Sequence, residues 1–545
     1  PQRHVSADPL HYQTIQAAID AAVDGDLILV HPGTYYETIV LGKTVKLQGY
    51  GVGVTNNPTA GIGSLIDSRF FGLGGMTADE FYAKVAATPH DGPVTVPLGQ
   101  AITVLATDGA FGPAFTTQID GVAIRGGQRT EGEGNLGAIQ GGGIYAHAYA
   151  RYLQVSNNLI QSNSGVRGGG VILGQAYTPN PTAAGALDNE NDFVRLHHNR
   201  VLNNGGIMSA GGVGIFNGAE GFQIDHNVIC GNYSAEYGGG ISNFGFSSGA
   251  ITDNEVLFNE AFDEGGGIMI GGELALPFVS PGTGDIDILR NRIQSNLTND
   301  DGSGVRLLQS VNGNIRIMNN IIVNNLATDT GAVSLDDALH VEIINNTIAR
   351  NVSTGTAEDA DRVTCAPPTD GSCPHGAGLV SAGHSAALIA AAGLNCLVDS
   401  CFSDPVLFNN IFWENEAFYL DGTQSLLGAP LPSGGFIDLE IGVAGESFNG
   451  TYNVCTAFSA HCLLDGTNSS GDPLFVAPII SAFQALAFAG DPAFVTVLIE
   501  DTPGSPQGNY HLTGASPAID AGTDAVGPVN APADDFDSQP RPLDP

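Results

Sequence analysis

Acidic residues recur at one turn position of a repeated sequence pattern, and their spacing suits the binding of a metal ion. Six of them occupy that position or the next one on successive repeats: Glu236, Asp263, Glu264, Asp300, Asp301 and Asp329. Stacked carboxylates repel one another, and a hard divalent cation relieves the repulsion by taking their oxygens as ligands. We therefore predict a Ca²⁺ site here, for example between Asp263/Glu264 and Asp300/Asp301. The competing interpretation is a solvated turn whose acids splay apart in water.

Two arginines on the same repeats, Arg290 and Arg306, supply a candidate base beside such a cation. Ca²⁺ bound to an acidic sugar would make its α-proton more acidic, and an arginine would then remove that proton. This is the chemistry of a polysaccharide lyase. A lysine base is disfavoured, because the lysines stand only at positions 43, 46 and 84. The competing interpretation is that both arginines pair with neighbouring acids on a solvated face.

The acids and arginines lie between copies of the phrase Asn-x-(Ile/Val/Phe)-x-x-Asn, which occurs eight times. Its first asparagines are Asn158, Asn199, Asn227, Asn254, Asn291, Asn320, Asn346 and Asn410. The base period is about 27 residues, which is typical of stacked-repeat architectures. Hydrophobic and polar residues alternate before each phrase, as in Phe222-Gln-Ile-Asp, and helical spacing is missing from these repeats. The pattern predicts an all-β, right-handed parallel β-helix whose asparagines form a hydrogen-bonded ladder between coils.

The two ends of the chain carry further signals. Residues 12–22 have helical spacing, which predicts a short helix that caps the open end of the first coil. The N-terminal segment resembles the start of pectin-lyase-like β-helix proteins, through Gly25-Asp-Leu-Ile-Leu-Val, Pro32-Gly-Thr-Tyr and Val45-Lys-Leu. Towards the C-terminus, Asp472-Pro-Leu-Phe and Ser516-Pro-Ala-Ile-Asp-Ala-Gly resemble the tail of bacterial surface proteins of the choice-of-anchor type. The resemblance implies the fold and a surface or secreted protein.

The same resemblance leaves the chemistry open. Many β-helix proteins cleave or remodel polysaccharides, and Asp336-Asp337 is an acid pair of the sort that glycoside hydrolases use. The companion phrases of a galacturonan hydrolase and of a pectin esterase are missing from this sequence. A pair of acids alone is a weak indication of activity.

The expected domain organisation follows from the repeats. Residues 1–50 form an N-terminal cap and first coil, residues 51–450 the β-helix, and residues 451–545 one or more C-terminal coils with an extended tail. Loop insertions are predicted near 53–100, 175–192, 273–285, 353–405 and 420–436. These stretches are rich in Gly, Pro, Ala, Ser and Thr, and on a solenoid they should project as surface loops.

Six of the seven cysteines fall into close neighbours, which predicts the disulfides Cys365/Cys373, Cys396/Cys401 and Cys455/Cys462. Pairing of Cys365 with Cys401 and of Cys373 with Cys396 is equally allowed, because sequence does not fix connectivity. Cys230 is left as a thiol. Disulfides predict an oxidising, extracellular setting.

The formal net charge of −38 argues against nucleic acid and anionic membrane surfaces as partners. No run of apolar residues is long enough to span a membrane. We therefore expect a secreted or cell-surface β-helix protein with a structural, adhesive or carbohydrate-binding role. Its expected partners are polysaccharides or other extracellular surface proteins, and self-assembly is compatible with the exposed ends of a solenoid. The alternative is the Ca²⁺-dependent polysaccharide lyase with an arginine base.

Overall fold

The structure is a computed structural model. It describes residues 1–541 except for 54–62, 71–74, 93–95, 129–140, 175–188, 272–282, 312, 358–371, 421–425, 429–434, 444, 457–465, 480, 486–494 and 500–506. The chain forms two compact units, Pro1–Asn254 and Glu255–Pro545. Both units are right-handed parallel β-helices, so the predicted fold class is confirmed.

One coil shows how the repeat folds. The chain visits four strands in turn, Phe222–Asp225, Val228–Cys230, Tyr233–Ser234 and Ile241–Phe244, and we number the sheets that contain them 1 to 4 in that order. Each strand pairs in parallel, and without a register shift, with the equivalent strand one repeat earlier. Side chains alternate between the two faces of a strand, so the apolar ones of each repeat meet in the interior of the coil.

The strands of the first unit extend this pattern over its whole length. Sheet 1 contains Gln2–Val5, Leu27–Val30, Lys46–Gly49, Gln118–Asp120, Gln154–Ser156, Arg195–His197, Phe222–Asp225 and Gly249–Thr252. Sheet 2 contains Gly33–Tyr35, Ser64–Asp67, Ala123–Arg125, Leu159–Gln161, Arg200–Leu202 and Val228–Cys230. Sheet 3 contains Ser164–Gly165, Gly205–Gly206 and Tyr233–Ser234. Sheet 4 contains Ile39–Leu41, Ile102–Leu105, Ile144–Ala148, Val171–Leu173, Val213–Ile215 and Ile241–Phe244.

The strands of the second unit follow the same order. Sheet 1 contains Ile286–Leu289, Ile315–Met318, Val341–Ile344 and Val406–Phe408. Sheet 2 contains Glu255–Leu257, Arg292–Gln294, Ile321–Val323, Thr347–Ala349, Ile411–Trp413 and Val454–Cys455. Sheet 3 contains Glu260–Ala261, Leu297–Thr298, Leu326–Ala327, Val352–Ser353, Glu416–Leu420 and Leu426–Gly428. Sheet 4 contains Ile268–Gly271, Val305–Leu308, Val333–Asp336, Leu379–Ser381 and Leu439–Ile441.

The repeated asparagines lie buried at the corners of the coils. The Asn199 amide nitrogen donates to Asn227 Oδ1 at 3.0 Å and to the Val155 carbonyl at 2.8 Å. In the second unit, Asn320 makes the equivalent bonds to Asn346 Oδ1 and to the Ile288 carbonyl. Each side chain thus bonds the asparagine of the following coil and a sheet 1 strand of the preceding coil, and this satisfies polar groups that would otherwise be buried without partners.

Short helices lie outside the strands of the coils. The helix Ile15–Ala21 begins at Thr14, whose hydroxyl caps it, and its buried residues include Ile15 and Ile19, as expected for the N-terminal cap. The helix Ala78–Ala87 lies in the first predicted insertion and packs Phe81 and Val85 against the core. The helix Ala386–Ala392 lies in the predicted insertion 353–405.

The C-terminal tail of the second unit folds back onto its own coils. Its described residues include antiparallel strand pairs, formed by Phe475–Ala477 with Asn509–Leu512, Ser481–Ala485 with Val495–Ile499, and Ala525–Val526 with Val529–Asn530. Tyr510 is buried beside Ile321 and Val323, and Trp413, Phe475 and Phe536 pack against the same cluster.

The structure contains the predicted disulfide between Cys396 and Cys401, with a Cα–Cα distance of 5.4 Å. This excludes the alternative pairing for those two residues. Cys373 and Cys455 are also disulfide-bonded. Their predicted partners, Cys365 and Cys462, lie outside the described residues. Of the helices that the structure describes, none is both long enough and apolar enough to cross a membrane.

Candidate functional site

Arg306 is the central residue of a carboxylate cluster on sheet 4 of the second unit. It lies between Val305 and Leu307, which are both fully buried in the core, so its own side chain points to the outer face of the strand. It pairs in register with Met269 on one neighbouring coil and Ser334 on the other. The Arg306 side chain is nevertheless only 4% exposed, because acidic residues cover it.

Three carboxylates from three different coils surround the Arg306 guanidinium. Nη2 lies 3.0 Å from Glu264 Oε1, 3.2 Å from Asp301 Oδ2 and 3.7 Å from Asp336 Oδ2. Nε also donates to Glu264 Oε2 at 3.3 Å, and Nη1 donates to the Ser334 hydroxyl at 2.8 Å. We call these five residues the Arg306 cluster. Glu264 and Asp336 are far from Arg306 in sequence and reach it only because the coils stack.

Two glycines bring the acids to the arginine. Gly265 follows Glu264 with φ +74°, and Gly302 follows Asp301 with φ +67°, a backbone conformation that side chains with a Cβ rarely adopt. A Cβ on Gly302 would lie 2.7 Å from Arg306 Cβ. The turns between sheets 3 and 4 therefore need glycine at these positions in order to fold closely over the strand that carries Arg306.

Burial and charge act in opposite directions on the titration of the cluster. Burial raises the pKa of Glu264, and the Arg306 guanidinium only partly opposes this rise. Burial likewise raises the pKa of Asp336. Burial alone would lower the pKa of Arg306, but the charges of Glu264, Asp301 and Asp336 outweigh it and raise that pKa. Arg306 therefore holds its proton firmly, while the pKa values of Glu264 and Asp336 lie above their ordinary values.

Beside the cluster, the structure brings together three of the six predicted metal-binding acids. One ligand oxygen from each of Asp300, Asp301 and Asp329 lies within 4.8 Å of the others; Asp300 and Asp301 are half-buried and Asp329 is buried. Asp301 is held in place by Thr330, whose backbone N–H and hydroxyl both donate to Asp301 Oδ1. A group of carboxylates at this spacing can hold a hard cation such as Ca²⁺. We call these residues the aspartate trio.

The other predicted metal ligands are placed differently. Glu264 faces Arg306, and the Asp263 backbone carbonyl accepts a hydrogen bond from the Thr298 hydroxyl. Neither residue belongs to the aspartate trio. Glu236 lies in the first unit, after the strand Tyr233–Ser234, and is half-buried. The site predicted between Asp263/Glu264 and Asp300/Asp301 is thus displaced by one coil, because Arg306 takes Glu264 as its own partner.

The structure separates the two candidate catalytic arginines. Arg290 follows the sheet 1 strand Ile286–Leu289 at the corner occupied by the asparagine ladder, with φ 53°. Its Nη1 lies 3.3 Å from Asp534 Oδ2 in the C-terminal tail. The expectation that Arg290 lies beside the acid column is therefore wrong, because its position in the repeat is that of the corner and not of the turn before sheet 4.

Two histidines that sequence reasoning missed pair with acids at opposite ends of the strand Val333–Asp336, and one of them lies beside the aspartate trio. His375 is buried, with Nε2 3.5 Å from Asp329 Oδ1 and Nδ1 3.5 Å from Glu440 Oε1. His384 lies 3.4 Å from Asp337. Burial would raise the pKa of Asp337, but hydrogen bonds from His384 and Ser385 outweigh it and lower that pKa. Both histidines come from the predicted insertion 353–405 and carry no repeat signal, so spacing could not have placed them.

The Arg306 cluster favours ligands that carry hydroxyl groups and no negative charge. Its acids outnumber its protonated arginine, so it repels an anionic ligand that brings no cation with it. It presents carboxylate oxygens that accept hydrogen bonds from hydroxyl groups, and Asp336 is 33% exposed and thus within reach of a ligand.

Among solved structures, the fold is similar to DFA-IIIase from Arthrobacter chlorophenolicus A6 in complex with GF2. The identity is 13%, the TM-score is 0.42, and 86% of this chain and 97% of that chain are covered. It is also similar to the A-module of the mannuronan C-5 epimerase AlgE6 from Azotobacter vinelandii, at 14% identity and a TM-score of 0.31. There, 84% of this chain and 92% of that chain are covered.

A further similarity is to a family 28 exopolygalacturonase from Yersinia enterocolitica, at 12% identity and a TM-score of 0.29. It covers 61% of this chain and 71% of that chain. No protein family and no curated protein matches the sequence. The choice-of-anchor character of the C-terminal region therefore stays a prediction.

Proposed function

We propose that the protein is an extracellular carbohydrate-binding β-helix protein and that the Arg306 cluster is its binding site. The observation that carries the proposal is the burial of Arg306 against three carboxylates on the outer face of sheet 4. Buried ion clusters cost desolvation free energy and often stabilise a fold less than apolar packing does. Charged groups with shifted pKa values that gather at one place are typical of functional sites.

The chemistry of the cluster selects the class of carbohydrate. Carboxylates accept hydrogen bonds from sugar hydroxyl groups, and the excess of acids disfavours glycans that carry carboxylates or sulfates. We therefore infer a neutral glycan as the ligand, with acidic glycans binding only through a bridging cation at the aspartate trio. The Cys396–Cys401 disulfide supports a location outside the reducing cytosol.

The experiment is a binding screen of the protein on an array of neutral and acidic polysaccharides, in Ca²⁺ and in EDTA. The variant Asp336→Asn should weaken binding to the neutral ligand at least about tenfold, because it removes a charged acceptor from the exposed rim of the cluster. The matched control is Asp287→Asn, which changes an acid on sheet 1 that pairs with the half-exposed Arg316. Unchanged binding in Asp336→Asn, or no binding by the folded protein, would rule out the proposed site.

Glycoside cleavage is a second candidate, favoured by the raised pKa values of Glu264 and Asp336. A raised pKa keeps a carboxyl group protonated up to a higher pH, and a protonated carboxyl group can donate its proton to a glycosidic oxygen. The test measures new reducing ends from any polysaccharide that binds. Release that disappears in Glu264→Gln, with binding retained, would establish an enzyme; no release would leave a binding protein.

The Ca²⁺-dependent lyase with an arginine base has less support. The raised pKa of Arg306 makes it a poor proton acceptor, and Arg290 is paired with Asp534 at a different corner. Its test is the absorbance of unsaturated products from acidic polysaccharides with Ca²⁺ and with EDTA. Binding to other extracellular surface proteins and self-assembly stay predictions from the sequence.

A further inference from the structure

A cavity of about 740 Å³ lies under the C-terminal tail of the second unit, at the corner between sheets 1 and 2. Its floor includes three asparagines at equivalent positions of consecutive coils, Asn319, Asn345 and Asn409, each directly before a ladder asparagine. All three have left-handed backbone, with φ between 56° and 59°. The volume is within the range of about 300–1,000 Å³ that is usual for small-molecule sites.

The outer two asparagines hold the tail. Asn319 donates to the Asp534 carbonyl at 3.0 Å and accepts from Arg541 Nη2 at 2.9 Å. Asn409 donates to the Thr523 carbonyl at 2.7 Å and accepts from the Thr523 backbone N–H at 2.9 Å. These bonds attach the tail on both sides of the middle coil and leave the cavity between them.

The middle asparagine has a different role. The side-chain nitrogen of Asn345 is buried and has no hydrogen-bond partner among the described residues. A buried donor without a partner is costly, and native structures normally satisfy it. Because Asn345 lines the cavity, a ligand oxygen placed there would complete the row of hydrogen bonds that Asn319 and Asn409 already make.

The roof of the cavity sets the charge of the ligand. Four aspartates of the tail line it, Asp520, Asp524, Asp535 and Asp537, together with Arg541 and with His511, whose Nε2 lies 2.6 Å from Asp537 Oδ2. The excess of carboxylates accepts hydrogen bonds from hydroxyl groups and repels anions. These aspartates are not gathered closely enough to hold a cation, since the metal-compatible grouping among the described residues is the aspartate trio. Tyr452 and Phe536 add aromatic surface to the walls.

We propose that this cavity binds one neutral sugar residue, whose oxygen accepts a hydrogen bond from Asn345 and whose hydroxyl groups donate to the tail aspartates. The site lies at the ladder corner and shares no residue with the Arg306 cluster. It stands whether or not that cluster binds glycans.

The test is isothermal titration with neutral monosaccharides, namely glucose, galactose, mannose, xylose, fructose and N-acetylglucosamine. Glucuronic and galacturonic acids serve as anionic counterparts. The variant Asn345→Gly removes the unpaired donor and keeps the left-handed backbone without strain. It should weaken sugar binding at least about tenfold. The matched control Asn157→Gly makes the same change at a left-handed corner position in the first unit, outside the cavity, and should bind as the wild type does.

A second variant tests the space itself. Ala533 lines the cavity and is exposed, so Ala533→Trp can fill part of it without disturbing the core. It should abolish binding while leaving the melting temperature close to that of the wild type. The proposal fails if none of the sugars binds, if the uronic acids bind as well as the neutral sugars, or if Asn345→Gly binds normally. Asp336→Asn should leave sugar binding at this cavity unchanged. A failure of the cavity proposal can therefore be told apart from a failure of the proposed function at the Arg306 cluster.

Discussion

Glu264 and Arg306 form a two-point ion pair between neighbouring coils of the second unit, with Oε1–Nη2 at 3.0 Å and Oε2–Nε at 3.3 Å. The pair faces away from the core, yet both side chains are largely hidden from solvent. Because Asp301 and Asp336 approach the same guanidinium, the arginine is the central positive charge of an otherwise acidic surface. Replacing Arg306 by a neutral residue should therefore lower the free energy of unfolding by an amount that depends on pH.

Arg306→Met should lower the free energy of unfolding by about 3 kcal/mol at pH 7, because it leaves buried carboxylates without their counter-charge. The loss should shrink at pH 4, because the raised pKa values of Glu264 and Asp336 favour uptake of protons as the pH falls. Urea unfolding at both pH values measures the effect. Arg316→Met is the control, since Arg316 is half-exposed and its pair with Asp287 should contribute less than about 1 kcal/mol. An equal loss for both variants at both pH values would contradict the prediction.

Two consecutive acids at the end of a sheet 4 strand, Asp336 and Asp337, should affect the pH dependence of the free energy of unfolding in opposite directions. Burial raises the pKa of Asp336, so the fold favours its neutral form and ionisation at neutral pH weakens the fold. Asp336→Asn should therefore be more stable than the wild type at pH 7. This advantage should fade as the pH falls through the raised pKa towards the ordinary value of 3.8.

Asp337 provides the matched comparison. Burial would raise its pKa, but hydrogen bonds from His384 and Ser385 lower it, so its charged form stabilises the fold above the ordinary value of 3.8. Asp337→Asn should be less stable than the wild type at pH 7. The deficit should vanish as the pH falls through the lowered pKa. Differences of the same sign for the two variants would show that the pKa directions do not govern stability here.

The sequence predicted the parts of this fold that repeat. The asparagine phrase and the strand alternation before it, as at Phe222 and Ile224, recur with one period, and identical coils can only stack in register. The same alignment placed Asp300, Asp301 and Asp329 near one another. Sequence repetition is therefore enough to predict those strands and turns that stack on the equivalent strand or turn of the next repeat.

The remaining parts could not be predicted because they depend on contacts without a period. Glu264 and Arg306 occupy different positions of the repeat, and only the folded turns at Gly265 and Gly302 bring acids over the arginine. The insertion that carries His375 and the tail that carries Asp534 reach the coils through irregular backbone. Arg290 illustrates the consequence, since its partner is 244 residues away in sequence.

The asparagine ladder should be essential for stability at each rung. Asn320→Ala removes the acceptor for Asn291 and the donor to Asn346 Oδ1 and to the Ile288 carbonyl. Each buried group left without a partner costs about 1–3 kcal/mol, so the melting temperature should fall markedly. Asn314→Ala is the control, because Asn314 is exposed and its side chain bonds only Asp285 among the contacts that the structure describes. Calorimetry of both variants should separate them clearly, and similar small effects would contradict a structural role for the ladder.

Ca²⁺ should stabilise the second unit through the aspartate trio. If millimolar Ca²⁺ is present at about 100 times its dissociation constant, binding to the folded state alone adds about 2.7 kcal/mol to the free energy of unfolding. The melting temperature should therefore rise with Ca²⁺ and fall again with EDTA. Asp329→Asn removes one charged ligand from the trio and should abolish most of the rise.

Glu236→Gln is the matched control for the calcium prediction, because Glu236 occupies the same position of the repeat in the first unit. The sequence analysis named Glu236 as a candidate metal ligand, whereas the aspartate trio does not include it. The Ca²⁺-dependent rise should thus survive in Glu236→Gln. A rise that persists in Asp329→Asn and disappears in Glu236→Gln would move the calcium site to the first unit, and no rise in the wild type would leave the acids as a solvated turn.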